Sequence, residues 1–236
     1  MFEAFGWQHL SLILQGAVVT IQICVLSVLF GGALGLVIGL MVAGTVRPLK
    51  WLSAIYIAII RGIPVLLVIF FVYFGVPLLM PGSGLAEYWA AVIALSIFAS
   101  AYIGELVRGS IQAVPLGQFE AAEALGLAYR DRMRFVILPQ AARLIVPPGV
   151  GFLVILIKDS SLVAVIGLIE LTRAANIVSS QTADPILAYT VAGAFYFAIC
   201  FVLSALSRRY ERRLGNKVAA PKLGDALTNL TTGART

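Results

Sequence analysis

Long runs without a single charged residue dominate this sequence and restrict the fold more than any other feature. The longest begins at Leu10 and ends at Val46, and the others are Gly62–Ala86, Tyr88–Gly104, Leu144–Ile157, Ser160–Ile169 and Pro185–Ser207. A helix needs about 20 mainly apolar residues to cross roughly 30 Å of hydrocarbon. Only Lys158 and Asp159 separate the fourth and fifth runs, which join into one segment. The pattern predicts an all-α integral membrane protein with five transmembrane helices, at about 11–43, 51–79, 87–108, 143–168 and 186–207.

The composition also argues against a soluble fold. Hydrophobic residues make up 61% of the 236 residues and charged residues 12%, and the mean hydropathy is +0.99. In ordinary soluble domains about a quarter of the residues are charged. The net charge of +6 is explained by basic residues beside membrane helices. Such residues keep loops on the cytoplasmic side and bind anionic lipid headgroups. We therefore expect no nucleic-acid partner.

The first apolar run does not have the features of a signal peptide. No Lys or Arg precedes it, and it is far longer than the apolar core of a signal peptide, so we expect it to remain attached. At about 1.5 Å per residue, a helix over Leu10–Val46 would be about 55 Å long, which is too long for one upright span. Part of it is expected to tilt or to lie in the interface.

The distribution of Lys and Arg predicts the orientation, because cytoplasmic loops retain them in excess. With the N-terminus outside and the C-terminus cytoplasmic, 14 of the 17 basic residues lie inside. These are Arg47, Lys50, Arg108, Arg130, Arg132, Arg134, Arg143, Arg208, Arg209, Arg212, Arg213, Lys217, Lys222 and Arg235. Arg61 and Lys158 fall within predicted spans, which leaves Arg173 outside. We predict a membrane domain over 1–217, followed by a weakly ordered cytoplasmic tail over 218–236 that is rich in Ala, Thr and Gly.

The reactive side chains do not suggest an enzyme. Cys24 and Cys200 fall inside predicted helices, where we expect them to pack as small apolar residues without a disulfide. His9 is the only histidine and has no partner at metal-ligand spacing, so we predict no metal site. The chain also lacks the Gly-rich loop ending in Gly-Lys-Ser/Thr that binds nucleotide phosphates. We predict no catalytic residues, no bound cofactor and no ATP hydrolysis by this chain itself.

A polar, arginine-containing loop over 115–140 separates the third and fourth predicted spans. Its composition favours a helix over Gln118–Leu125 that Gly126 can break. We predict a second helix from Leu127 to Leu138, ended by Pro139. At helical spacing the second helix separates an apolar face from its basic residues. The apolar face holds Tyr129, Met133, Val136 and Ile137, and the basic residues are Arg130, Arg132 and Arg134.

Two roles fit such a helical hairpin at the membrane surface. An amphipathic pair with basic residues suits lipid headgroups. Alternatively, the small alanines of the first helix let the backbone of a protein partner approach closely. Periodicity alone does not separate these two roles.

Sequence motifs favour the protein partner. The order Glu120-Ala121-Ala122, then Gly126, then Val136-Ile137-Leu138-Pro139 resembles the EAA loop of permease subunits from ATP-binding-cassette (ABC) importers. The resemblance covers nearly the whole chain and is closest to the permeases for histidine, glutamine, arginine and glutamate. The other stretches that carry it are Arg61-Gly62-Ile63-Pro64, Ala101-Tyr102-Ile103-Gly104-Glu105-Leu106-Val107-Arg108-Gly109 with Gly117-Gln118, and Lys158-Asp159-Ser160-Ser161-Leu162.

The resemblance implies a type I ABC importer transmembrane domain in the bacterial inner (plasma) membrane. It also implies partners: a second permease copy or sister permease, two ATP-binding subunits that hold ATP and Mg, a periplasmic or lipid-anchored binding protein, an amino-acid substrate and membrane lipid. In that picture the first helix of the hairpin is a coupling helix that docks into the ATPase. The residues assigned to coupling are Glu120, Ala121, Ala122, Leu125, Gly126 and Pro139.

Charged residues inside the predicted spans suggest a substrate path, because they are costly there and usually face a partner or a wet cavity. The second and third spans contain Arg61 and Glu105, and the fourth contains Lys158-Asp159. These four side chains could neutralise one another in a buried cluster. Alternatively, Glu105 or Asp159 contacts the ammonium group of an amino acid, and Arg61 or Lys158 contacts its carboxylate. Nearby hydroxyl groups would then donate hydrogen bonds to the substrate. The predicted path comprises Arg61, Pro64, Tyr102, Glu105, Lys158, Asp159, Ser160 and Ser161.

Proline and glycine positions indicate where helices bend and pack. Pro64 can kink the second helix by removing a backbone hydrogen bond, and Pro147-Pro148-Gly149 is expected to disrupt the start of the fourth. Gly31, Gly35 and Gly39 recur every four residues and form a flat face for a neighbouring helix.

An ion-coupled secondary amino-acid transporter is the alternative function, because it too places charges at mid-membrane. However, five helices leave no inverted repeat within the chain, and the hairpin would be unexplained. A membrane enzyme is less favoured still, because no catalytic set converges. The sequence therefore predicts a permease that works by alternating access and is driven by a separate ATPase.

Overall fold

The computed structural model describes residues 4–80 and 82–218, and all regular structure in those ranges is helical. The first half contains α1 (Trp7–Ala43), α2 (Arg47–Gly62), α3 (Val65–Leu79) and α4 (Glu87–Gln112). Two short helices follow: α5 is Leu116–Ala124, and α6 combines Tyr129–Asp131, the π-helical Arg132–Ile137 and Leu138–Leu144. The last three are α7 (Val146–Ile166, with Ser160–Ile166 in 3-10 geometry), α8 (Leu171–Thr182) and α9 (Pro185–Val218).

Four of these helices, α1, α4, α7 and α9, are long and apolar enough to cross a membrane. The pair α2 and α3 passes the same test together, but a 102° bend separates its halves. The prediction of an all-α integral membrane protein is confirmed, while the orientation of the termini stays a prediction. The predicted tail falls largely on residues 219–236, which lie outside the described part of the chain.

The chain does not form one continuous helix over the predicted 51–79. Ile63 has φ −102° and ψ 133°, and Pro64 has φ −56° and ψ 134°, so both leave helical geometry. Proline disfavours the α region for the residue before it, and its ring excludes the hydrogen bond that would continue the helix. Pro64 therefore does more than kink the second span, because it divides the span into two helices.

Pro139 does not end the second helix of the hairpin as predicted. The helix continues through Pro139 to Leu144, because the turn before it is a π-helix over Arg132–Ile137. In that wider turn the N–H of Leu138 bonds to the carbonyl of Met133, five residues back. A π-turn re-spaces the backbone, so the proline ring is accommodated without the clash that a regular α-helix would impose. The break falls instead at Ile145, just before Pro147 and Pro148 in the first turn of α7.

The face of α1 formed by Gly31, Gly35 and Gly39 packs tightly against α4. A Cβ atom placed on Gly31 would lie 2.5 Å from the Ser96 carbonyl oxygen, and one on Gly35 would lie 2.7 Å from the Ser100 carbonyl oxygen. One on Gly39 would lie 2.5 Å from the Cβ of Val107. Such separations are shorter than real Cβ atoms tolerate, so these glycines permit the close approach that holds α1 against α4.

The main apolar core lies between α1, α3, α4 and α7 and extends to α9. Its fully buried members include Ile23, Ile69, Leu95 and Leu156. Cys24 and Cys200 are buried free thiols in this core. The core fixes α4 at the centre of the bundle, so side chains on its remaining face are held rigidly.

A buried carboxylate that the sequence did not single out joins α8 to the bundle. Glu170 caps α8 and accepts the backbone N–H groups of Thr172 at 2.9 Å and Arg173 at 2.7 Å. The hydroxyls of Tyr196 and Thr20 donate to the same carboxylate at 2.9 and 3.4 Å. The side chain is fully buried, and burial raises the pKa of the Glu170 carboxyl. Glu170 thereby ties α8 to both α1 and α9.

Glu170→Ala is expected to destabilise the protein by about 2–4 kcal/mol. Loss of an N-cap costs about 1 kcal/mol. The fully buried Thr20 hydroxyl would lose the acceptor for its proton, which costs about 1–3 kcal/mol. Thermal unfolding of the purified protein in detergent would measure the loss. Glu87→Ala is the matched control, because the exposed Glu87 carboxylate only meets the Tyr73 hydroxyl at 3.3 Å and its removal should cost less than about 0.5 kcal/mol. Equal shifts in the two variants would contradict the anchoring role.

Candidate functional site

The break between α2 and α3 places a basic side chain at a helix end within the apolar part of the chain. Arg61 lies in the last turn of α2, two residues before the break at Ile63 and Pro64. A cation at a helix C-terminus is stabilised by the negative end of the helix dipole. The Arg61 side chain is 41% exposed, so its guanidinium is available on the surface of the single chain. The sequence placed Arg61 in mid-span, and the structure places it at a helix terminus there.

Glu105 on α4 lies between two guanidinium groups. Arg108 holds it bidentately, with Nε donating to Oε2 at 2.9 Å and Nη2 donating to Oε1. Nη1 of Arg61 lies 3.6 Å from Oε1. Two cations and one carboxylate leave this group with a net positive charge. Because Arg108 already occupies both oxygens of Glu105, the group is better suited to meet a carboxylate than an ammonium.

An aromatic stack extends from this charged group to α7. The guanidinium carbon of Arg61 lies 5.2 Å from the ring centroid of Tyr102, within range of a cation–π contact. Tyr102 in turn stacks on Phe152 of α7, with centroids 5.2 Å apart and planes 17° apart. Phe98 contacts the Tyr102 ring from α4, at 4.6 Å. The stack fixes the Tyr102 ring between α4 and α7, and its hydroxyl makes no hydrogen bond to any described residue.

Lys158 and Asp159 are the last two residues of the α-helical part of α7. Asp159 lies seven residues after Phe152. Seven residues are about two turns, so Asp159 lies on the same helix face as Phe152, about 10 Å along it. Lys158 is exposed and Asp159 is half-buried. Neither forms an ion pair within 4.0 Å with any of the side chains that the structure describes, those of residues 4–80 and 82–210. The structure therefore pairs Arg61 with Glu105 but does not join all four charges into one neutral cluster.

The two serines after Asp159 already have hydrogen-bond acceptors. Ser160 is fully buried and donates to the Ile157 carbonyl at 2.7 Å. Ser161 is half-buried and donates to the Lys158 carbonyl at 2.7 Å. Their predicted contact with substrate stays a prediction. Pro64 is exposed at the break of the second span, three residues after Arg61 in the sequence.

The predicted coupling helix is α5, which ends in a Schellman motif. Gly126 has φ +75°, in the left-handed region that favours glycine. Its N–H bonds to the Glu123 carbonyl at 2.9 Å, and the N–H of Leu127 bonds to the Ala122 carbonyl at 3.2 Å. These are the two hydrogen bonds that define the motif. Gly126 thus sets the direction in which the chain leaves α5.

One face of α5 is free and the other packs on the bundle. Glu120 and Ala121 are exposed, and Leu125 is 80% exposed. Ala122 is buried on the opposite side. An exposed leucine beside small and acidic residues forms a compact surface that a protein partner can cover. Pro139, on α6, is also exposed.

Polar and apolar contacts hold α6 in place beneath α5. Arg132 pairs with Glu123 at 2.7 Å, and the Gln140 amide donates to the Gln118 side-chain oxygen at 3.0 Å. Ile137 is fully buried in a cluster with the end of α4. These contacts join the hairpin to α4, the helix that carries Glu105. A force on α5 would be transmitted to α4 through these contacts.

Comparisons with known proteins agree with this architecture. The family described as "Binding-protein-dependent transport system inner membrane component" matches residues 35–216. The chain belongs to this family. The resemblance to ABC importer permeases is thereby confirmed, and the chain is a multi-pass membrane protein.

Relatives with assigned names cover nearly the full length of the chain. The arginine transport system permease protein ArtQ of Bacillus subtilis is 38% identical over 206 residues, which are 87% of this chain and 94% of that protein. The glutamine transport system permease protein GlnP of Escherichia coli is 37% identical over 213 residues, 88% of this chain and 95% of that protein. Both similarities extend across the charged helix break and the hairpin.

Solved structures show the same fold. A crystal structure of an amino acid ABC transporter with histidines superposes with a TM-score of 0.82 at 35% identity, covering 89% of this chain and 100% of that one. The MetNI methionine ABC transporter in an inward facing conformation, at 19% identity and a TM-score of 0.77, covers 89% of this chain and 99% of that one and shares the fold. The fold is that of a type I ABC importer transmembrane domain, as predicted.

Proposed function

We propose that this chain is the transmembrane permease subunit of an ABC importer that moves polar amino acids into the cytoplasm across the bacterial inner membrane. The observation that carries the proposal is the charged helix break. Arg61, Glu105 and Arg108 form a net positive group there. Asp159, which has no ion-pair partner among the described side chains, lies on the face of α7 that the Tyr102–Phe152 stack reaches. The names of the relatives, which include arginine and glutamine permeases, support an amino-acid substrate.

The proposed path offers both charges that a zwitterion needs. Arg61 meets the substrate carboxylate, because Glu105 is already held by Arg108 and leaves the Arg61 guanidinium partly free. Asp159 meets the ammonium group, with Lys158 as a second cation for a carboxylate. The Tyr102 hydroxyl donates a hydrogen bond to the substrate. Charges exposed at membrane depth are tolerated where they line a wet cavity, which fits a path at an interface with a second permease.

The chain takes its energy from partners. Two ATP-binding subunits hold ATP and Mg and dock on the exposed face of α5, and this chain itself binds no nucleotide or other cofactor. Closing of the ATPase pair moves α5, and the α6 contact with α4 passes that motion to Glu105 and Arg61. The path then alternates between outward and inward access. A periplasmic or lipid-anchored binding protein delivers the amino acid to the outer side.

The orientation in this proposal has the N-terminus outside and the C-terminus in the cytoplasm. The strongest support is that α5 and α6, with four arginines on α6, lie at the same end of α4 as Arg108. Arg173, on the short α8, lies at the other end. The permease works as a pair, with a second copy or a sister permease completing the path.

Reconstitution tests the proposed function. Proteoliposomes would contain this subunit with its candidate ATPase and binding protein, and ATPase activity and uptake would be measured with a panel of amino acids. Stimulation of both by one loaded binding protein is the expected result. Uptake by the permease without any ATPase, driven by a proton or sodium gradient, would instead support an ion-coupled transporter.

Asp159→Asn is expected to lower uptake at least about tenfold, because loss of a charged contact to substrate costs about 1.5–3 kcal/mol. ATPase assembly should remain intact, since Asp159 lies far from α5 along the chain. Asp184→Asn is the matched control: Asp184 accepts the Leu187 N–H at 3.0 Å at the start of α9, and Asn is an equally good cap. Unchanged uptake kinetics in Asp159→Asn would remove this residue from the path.

A further inference from the structure

A surface groove lies where the end of α1, the start of α2 and α6 meet. Its volume is about 430 Å³. The walls are mostly apolar and include Val37, Leu40, Met41, Leu49, Met133 and Leu138. We call this feature the α1–α6 groove. It is open to the side of the bundle and is not part of the charged helix break.

The depth of the groove matches one end of the membrane-spanning region. Val37 and Met41 belong to the last two turns of α1, whose mean hydropathy is that of a span. From Val37 to its end at Ala43, α1 rises about 9 Å, more than half the thickness of one hydrocarbon leaflet, about 15 Å. The outer surface of α1 on the same stretch is also apolar, with Leu34 and Val37 each about half exposed. The inner part of the groove therefore faces acyl chains.

The rim of the groove is basic on both sides. Arg47 and Lys50 directly follow the lining residues Val46 and Leu49, and Arg130 directly follows the lining residue Tyr129. All three are exposed. Within the described ranges none of them forms an ion pair within 4.0 Å. The rim therefore carries three cations that no acidic side chain among the described residues pairs.

The single acidic side chain near the rim does not balance its three cations, and no capping group adds negative charge. The segment from Gly44 to Lys50 contains no Asp or Glu, and α6 contains only Asp131. Arg132 forms an ion pair with Glu123 and is therefore not counted among the cations of the rim. Val46, at the N-terminus of α2, provides no side-chain cap, so the positive end of that helix dipole also points to the rim. The electrostatic complement of the rim is an anion placed at the membrane surface.

We propose that the α1–α6 groove binds an anionic phospholipid, with an acyl chain along the apolar wall and the phosphate at Arg47, Lys50 and Arg130. A phospholipid is the one ligand class that presents an anion at the interface and a hydrocarbon chain directly below it. A soluble anion would pair with the cations but would not contact the apolar wall. A neutral lipid would contact the wall but would leave the three cations unpaired. The bound lipid joins α1 and α2 to α6, which is half of the proposed coupling hairpin.

Lipid counting by native mass spectrometry tests the proposal on the full chain in mild detergent. The probes are dioleoylphosphatidylglycerol and dioleoylphosphatidylcholine, added in equal amounts. Preferential retention of phosphatidylglycerol is expected for the unmodified protein. Each basic residue near an anionic headgroup is worth about a fivefold change in affinity, so the rim variant Arg47→Gln/Lys50→Gln/Arg130→Gln should bind it about a hundredfold more weakly.

A matched variant separates a site from general surface charge. Arg143→Gln/Arg208→Gln/Arg209→Gln removes the same charge from exposed positions outside the groove and should keep phosphatidylglycerol bound. Equal loss in both triple variants, or no loss in the rim variant, would overturn the proposal. Displacement of the bound lipid when the ATPase subunit is added would also overturn it, because the groove would then be a protein contact.

A second readout reports on the acyl chain rather than the headgroup. Val37 is 49% exposed at the groove wall, so Val37→Trp places an indole there. Brominated phosphatidylglycerol is expected to quench the added fluorescence more strongly than brominated phosphatidylcholine. Combining Val37→Trp with the rim variant should remove that preference. Equal quenching by the two lipids with an intact rim would contradict the proposed site.

Discussion

Gly126→Pro is expected to abolish ATP-driven amino-acid uptake while the protein still inserts into the membrane. Gly126 has φ +75° and donates its N–H to the Glu123 carbonyl at 2.9 Å. Proline cannot adopt that angle and has no N–H, so the end of α5 must rearrange at a cost of about 3 kcal/mol or more. The exposed surface formed by Glu120, Ala121 and Leu125 would no longer have the shape that the ATPase meets.

The measurements are uptake and ATPase stimulation in proteoliposomes, with the protein quantified in the membrane. Gly126→Asn is the matched control, because asparagine visits the left-handed region at lower cost than other side chains and keeps the N–H. Space does not limit it, since no atom lies within 4 Å of a Cβ at this position. We expect Gly126→Asn to retain a large part of uptake. Normal uptake in Gly126→Pro would show that α5 does not couple the permease to the ATPase.

Gly35→Leu is expected to prevent α1 from packing against α4. A Cβ on Gly35 would lie 2.7 Å from the Ser100 carbonyl oxygen and 2.9 Å from the Cβ of Ile103. The first of these atoms belongs to the α4 backbone and cannot move alone, so the two helices must separate along their whole contact. Overpacking of a tight core costs about 1–3 kcal/mol for smaller insertions, and a leucine here should exceed that range. Little folded protein should be recovered from the membrane.

Gly32 provides a control within the same helix. A Cβ on Gly32 meets only the flexible end of Ile103, at 3.7 Å. Gly32→Ala should raise stability by up to about 1 kcal/mol, because alanine is the better helix former, whereas Gly35→Ala should lower it. Unfolding of the detergent-solubilised protein would measure these opposite changes in stability for the two alanine variants, and size-exclusion profiles would show whether each variant is folded. A neutral effect of Gly35→Leu would mean that α1 does not approach α4 as closely as the structure indicates.

Features set by local chemistry were predictable from the sequence. The apolar runs identified the spans, because only chain length and hydropathy decide whether a helix can cross hydrocarbon. The helix at Gln118–Leu125 and its break at Gly126 followed from composition and from the conformational freedom of glycine. The four-residue spacing of Gly31, Gly35 and Gly39 indicated a helix contact, although it did not name α4 as the partner. The assignments of site residues to substrate and ATPase stay predictions.

Other features depend on groups that are distant in the sequence. Glu170 looks like an ordinary polar residue after the fourth span, yet its donors Thr20 and Tyr196 lie 150 and 26 positions away. The four charges in the spans gave no indication of which would pair. The structure joins Glu105 to Arg108 on its own helix and to Arg61 across the bundle, and it leaves Asp159 unpaired within the described residues.

The sequence by itself determined that this is an all-α membrane protein, approximately which segments cross the membrane, and that it resembles ABC importer permeases. Periodicity, apolar length and the residues of short motifs are properties of one continuous segment of chain, so they can be read without knowing the fold. Only the tertiary structure decided how sharply the second span bends at Pro64, how the π-turn carries the chain through Pro139, and which charges meet. These outcomes depend on the packing of whole helices against one another, and no local pattern encodes the distance between two side chains on different helices.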